Sequence, residues 1–134
     1  MIGRLDELNQ LERFYNSSKF EFLTMYGRRR IGKTTILREF AGRHKALFFS
    51  AQEKNDSLNL LDFSKMVQTF FEGSFISSFQ NWEAAFEYIT GKISDKKLVL
   101  IIDEFPFLAE PNPSIKSILQ HTIDHVWKGK NIFL

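Results

Sequence analysis

The sequence predicts an α/β domain built on a largely parallel sheet. Short apolar runs at 20–26, 46–51 and 98–102 alternate with longer stretches of helical periodicity, and two of these runs end in residues suited to phosphate and metal. The first stops at Gly27 and opens into GRRRIGKT at 27–34; the third stops at Asp103 and Glu104. Ligands of open parallel sheets sit beyond the carboxyl ends of the strands, near the switch in strand order. The two segments are therefore expected at one edge, although roughly seventy residues separate them.

The elements follow in order. Residues 4–15 place Leu5, Leu8, Leu11, Phe14 and Tyr15 at helical spacing. A polar turn at 16–19 leads into the first strand, 20–26, and the loop after it into a helix over 33–43. The run 46–51 is short and flanked by polar residues, as a buried second strand would be. Ser57 is expected to cap a helix over about 58–72, with Leu58, Leu61, Met66, Phe70 and Phe71 on its apolar face. A further helix fits 81–91 around Trp82, Ala85, Phe86 and Ile89. The third strand, 98–102, is apolar at every position and so should be covered on both faces. Pro111 and Pro113 mark a loop, Ser114 should cap a helix reaching about Trp127, and 131–134 read as the start of a fourth strand.

Composition narrows the function classes. A chain of 134 residues holds one domain, and 43% apolar with 25% charged residues is ordinary for a globular protein. The fifteen Phe supply core area. No cysteine is present, so disulfides, thiolate metal sites and a cysteine nucleophile are excluded. A net charge of +2 does not by itself argue for nucleic acid. The amino-terminal residues lack a signal-peptide core and no run is long enough to span a membrane, so the expectation is a cytoplasmic protein without a membrane partner.

GRRRIGKT matches the phosphate-loop pattern G-x-x-x-x-G-K-[ST] at every fixed position. Gly27 permits the sharp exit from the strand, and Gly32 lets backbone approach phosphate with no Cβ in the way. Successive N–H groups from about Arg29 through Ile31 to Thr35 can turn inward as an anion nest, backed by the helix dipole. Lys33 is expected on the β- and γ-phosphates, the Thr34 hydroxyl on Mg²⁺, and Thr35 near the α-phosphate. A chance match arises in roughly one such chain in a few hundred, and the flanking strand and helix make chance rarer still. Arg28, Arg29 and Arg30 raise the positive potential of such an anion site. Reading them instead as a nucleic-acid contact needs further basic surface, and the other clusters are small and scattered.

At the end of the third strand, Asp103 is placed to hold Mg²⁺ opposite Thr34. Glu104 is placed to orient the attacking water or accept its proton. His121 and His125 stand one helical turn apart without a nearby third ligand, and read with His44 as solvated or hydrogen-bonded side chains. Trp82 and Trp127 read as core.

Three blocks together, IGRLDELNQLERFY at 2–15, MYGRRRIGKTTIL at 25–37 and LVLIIDEFPFL at 98–108, resemble the AAA-type, STAND-like P-loop ATPases of archaea and bacteria. The resemblance runs through essentially the whole chain. It implies a three-layer α/β/α sandwich with strand order 2-3-4-1-5, hydrolysis of ATP, and Ile2, Gly3 and Arg4 near the base. It also implies a polar sensor on the fourth strand and arginines beyond it, so residues 1–134 are expected to form the amino-terminal part of the domain, truncated as that strand begins. An incomplete sheet would invite self-association. A DNA or protein partner would be met through regions beyond this chain.

The leading expectation is an ATPase that takes ATP, releases ADP and uses Mg²⁺. The alternative is a nucleotide-controlled switch or scaffold with little turnover. No N-K-x-D guanine-reading motif is visible, which favours adenine.

Overall fold

A computed structural model describes residues 2–16, 31–44, 46–94, 97–128 and 132–133. The elements in chain order are α1 (Ile2–Tyr15), α2 (Ile31–His44), β1 (Leu47–Ser50), α3 (Asp56–Glu72), α4 (Trp82–Thr90), β2 (Leu98–Asp103), α5 (Pro106–Ala109), α6 (Ser114–Thr122), a π-helical turn (Ile123–Trp127) and β3 (Ile132–Phe133). The expected strand at 20–26 lies outside the described residues.

β1, β2 and β3 form a parallel sheet in that order, with Leu47 opposite Leu100, Ser50 opposite Asp103 and Leu98 opposite Ile132. These are the second, third and fourth strands expected from sequence, and their adjacency agrees with the 2-3-4 portion of the implied order. Alternation along β2 divides its apolar side chains between two faces. Val99 and Ile101 join Leu8 and Leu11 of α1 and Ile36 and Phe40 of α2. Leu98, Leu100 and Ile102 join a larger cluster holding Phe63, Trp82, Phe86, Ile115 and Trp127. The central strand is thus clad by helices on both faces, as its uninterrupted apolar sequence requires.

α3 meets its expected setting only in part: Met66 and Phe71 pack against the core as expected. Leu58 and Phe70 point outward, 44% and 42% exposed, while Leu60, Phe63 and Val67 face the core together with Asn59, Ser64 and Gln68. The stripe at i, i+3, i+7 was masked by these polar neighbours, each of which has inward work. Gln68 accepts from the Ile76 amide at 2.9 Å and donates to the Ser77 carbonyl at 2.7 Å. Ser64 Oγ accepts from the Phe79 amide, and Asn59 bonds both backbone groups of Gln52. A buried polar side chain satisfied in this way fastens a loop without an orphaned group.

Two caps also differ from expectation. Asn55, not Ser57, caps α3 by accepting from the Leu58 amide at 2.9 Å, and Ser57 itself donates to Asn55. Ser114 is the first residue of α6 and donates to Asn112 Oδ1 at 2.6 Å, with no side chain capping that helix. Helix α3 ends at Gly73, whose φ of 81° brings its amide to the Thr69 carbonyl, a conformation costly for a residue with a Cβ. Among the described residues no helix is long and apolar enough to cross a membrane.

Candidate functional site

β2 extends one residue beyond its apolar run, so that Asp103 is the last strand residue, 3% exposed and opposite Ser50. Its carboxylate accepts the Glu104 amide at 3.0 Å, and its carbonyl accepts from the Ala51 amide at 3.0 Å. Burial of a carboxylate at a strand tip is unfavourable without compensating donors or cations. Period-two alternation puts Asp103 on the same face as Val99 and Ile101, the face covered by α1 and α2.

Glu104 follows in the left-handed region, at φ 61°, and is half-buried. Outside glycine this conformation is uncommon, and it gathers at functional sites because its strain, about 1–3 kcal/mol, must be offset by the surroundings. Nothing in the local sequence announced it. The bend turns the chain sharply from β2 into α5, whose Phe107 amide donates to the Glu104 carbonyl at 3.0 Å.

α2 runs along the same sheet face. At its carboxyl end the Ala46 amide donates to the Ala41 carbonyl at 3.1 Å, and farther back Arg38 lies over the Phe48 ring at 4.8 Å. Ile36 and Phe40 pack toward Val99 and Ile101. The helix begins at Ile31, earlier than expected, so Ile31, Gly32, Lys33 and Thr34 occupy its first turn. The side chains of Ile31, Lys33 and Thr34 are outside the described set, as are Gly27, Arg28, Arg29 and Arg30 altogether; Thr35 is exposed.

α1 meets α2 through their carboxyl ends. Tyr15 stacks on His44 at 3.8 Å, and Glu12 accepts from His44 Nε2 at 2.8 Å and from Arg43 at 3.2 Å. Gly3 and Arg4 lie in the first turn of α1, their side-chain surroundings undescribed. The described residues thus place Asp103 and Glu104 beside Ser50 and Ala51, while Gly27, Arg28, Arg29 and Arg30 lie outside them. Among the described residues no three His, Cys, Asp or Glu converge as a metal-binding group. His121 and His125 face one another at 4.5 Å on the exterior.

The uncharacterized protein MJECL04 of Methanocaldococcus jannaschii is 32% identical over 123 residues, which is 92% of this chain and 26% of that protein. The uncharacterized ATP-binding protein MJ0423 of the same organism is 41% identical over 44 residues, 33% of this chain and 75% of that protein. The chain thus spans about a quarter of the longer relative. No solved structure gives a significant match. The family described as an ATPase domain predominantly from Archaea matches residues 1–134. With a match over its whole length, the chain belongs to this archaeal ATPase domain family.

Proposed function

We propose that the chain binds ATP with Mg²⁺ at the carboxyl edge of the sheet, as part of a P-loop ATPase in which Glu104 activates the attacking water. One observation carries this reading: α2 runs antiparallel to β1, with Ala41 at Ala46 and Arg38 at Phe48. A helix rises about 1.5 Å and a strand about 3.3 Å per residue, so one helical turn matches roughly two strand residues. Extended one turn toward the amino end, this register supports placing Thr34 and Thr35 level with Ser50, the register partner of Asp103. That register supports a nucleotide site shared by the start of α2 and the acidic pair. Membership of an ATPase domain family, and the ATP-binding name of one relative, support the same ligand.

In this arrangement the amides of 29–35 and Lys33 hold the phosphates, with Arg28, Arg29 and Arg30 raising the local potential. Thr34 and Asp103 provide the hard oxygen donors that Mg²⁺ takes, and buried Asp103 at a strand tip suits that role. When bound, the ion neutralises charge on the β- and γ-phosphates. Glu104 orients water and accepts its proton. α1 and α2 each have 14 residues and meet at their carboxyl ends, which supports placing Gly3 and Arg4 on the nucleotide side. The AAA-type, STAND-like subtype and the complete three-layer sandwich fit the 2-3-4 strand order.

Calorimetric titration with Mg²⁺–ATP and Mg²⁺–GTP tests the binding claim. ATP should bind tighter than GTP, and Lys33→Ala should weaken ATP about 10- to 100-fold, as loss of a charge-assisted contact does. Glu104→Gln should retain binding and lose turnover by about 10²- to 10⁴-fold. Equal turnover by Glu104→Gln and wild type contradicts the assigned base. Negligible turnover by the longer parent protein, with binding intact, replaces the enzyme by a nucleotide-controlled switch.

A further inference from the structure

We infer that Asp56 and Asn112 form a tether that holds Glu104 in its left-handed bend, which makes both of them positioning residues for water activation. This rests on the ATPase reading above. A residue with a Cβ stays at φ 61° only when its surroundings over-determine it. The segment that follows is a chain of tight turns: the Phe107 amide donates to the Glu104 carbonyl, the Leu108 amide to Phe105 at 2.8 Å, and the Glu110 amide to Pro106 at 2.9 Å. A helix of four residues, such as α5, does not persist by itself. Leu108, fully buried, anchors its middle.

At its far end Asn112 Nδ2 donates to Asp56 Oδ1 at 3.3 Å, the bond that links this segment to the start of α3. The same oxygen accepts the indole N–H of buried Trp82 at 2.9 Å, so the carboxylate is held against the core. Asp56 opens α3 just after β1, whose continuation at Ala51 bonds the Asp103 carbonyl. The contacts close a ring from Asp103 through Glu104 and α5 to Asn112, across to Asp56, and back. Between these segments lies an open cleft of about 340 Å³, lined by Glu53, Asn55, Phe107 and Pro111.

Asn112→Ala removes the tether and leaves Trp82 its partner. Amide exchange at Phe107 and Leu108 should accelerate about 5- to 10-fold, as for loss of one ordinary hydrogen bond, and kcat for ATP should fall by a similar factor with KM unchanged. Ser114→Ala, which removes the other partner of the Asn112 side chain, should alter neither quantity. Asp56→Ala should reproduce the loss, and Asp56→Asn, whose amide oxygen still accepts from both donors, should restore it. Unchanged exchange in Asn112→Ala overturns the tether, and faster exchange with kcat intact overturns the positioning role. Absence of any ATP turnover by the wild type fails the ATPase reading instead, and the exchange data separate that failure from failure of the tether.

Discussion

The two faces of the sheet differ in the side chains that the described residues place on them. Beneath β1 and β2, α3, α4 and α6 bury Phe49, Phe63, Trp82, Phe86 and Trp127 in edge-to-face contacts, and both indole N–H groups have acceptors, Asp56 and Thr90. On the opposite face, the described core is Leu8, Leu11, Ile36, Phe40 and Val99. That face carries α2 and the buried carboxylate of Asp103, and the strained Glu104 follows at the same strand end. Large interlocked aromatics make a rigid base. On the face of α1 and α2, ring contacts join Tyr15, Phe40 and His44 toward the carboxyl ends of those two helices.

The largest expected difference separates Phe86→Ala from Phe40→Ala. Each empties a buried aromatic site and should cost about 3–5 kcal/mol in urea unfolding. Phe86→Ala should leave the affinity for Mg²⁺–ATP within about twofold, whereas Phe40→Ala unseats α2 and should weaken it severalfold. Equal effects on affinity would break the division between the faces. Next in size, Gln68→Ala leaves the Ile76 amide and the Ser77 carbonyl without their clamp and should cost about 1–3 kcal/mol, with proteolysis in 73–79 as the local readout.

Glu104→Gly relieves the left-handed strain and should raise stability by up to about 1 kcal/mol while abolishing turnover. A destabilised variant would show that the bend is not strained. The smallest effect concerns the outer edge of the aromatic face. Burial, and then the hydrogen bond donated to Glu72 at 2.7 Å, push the Tyr88 phenol from 10.0 up to about 12. Because the folded state favours the neutral phenol, this contribution is complete below pH 10.0 and is lost as pH rises through about 12. Tyr88→Phe should flatten the dependence of stability on pH across that window. Glu72 is held below its ordinary carboxylate value by Tyr88 and then Lys92, so its own contribution is present at neutral pH and lost in acid.

Much of the fold was legible because apolar runs and period-3.6 stretches report directly on burial. Strands at 46–51 and 98–102 and helices around Leu8, Phe86 and Leu119 stand where patterning put them. The face of α3 was not legible, since Asn59, Ser64 and Gln68 look like solvent-facing residues until the loops they hold are in place. Asn55, two residues before Ser57, is the cap, and the sequence offers both residue types as suitable acceptors. At the candidate site, the strand tip carrying Asp103 followed from its apolar lead-in. The φ of Glu104 and the bond from Asn112 to Asp56 did not, because they depend on a meeting of segments separated by 56 positions.

The most direct test is Mn²⁺ substituted for Mg²⁺ in the ATP complex, with the amide resonances of the labelled chain followed by NMR. Paramagnetic broadening is expected at Lys33–Thr35 amides and at those of Asp103 and Glu104 together, and it should vanish in Lys33→Ala at the same nucleotide concentration. Broadening confined to one of the two segments, or none at either, would contradict a shared site between the start of α2 and the end of β2.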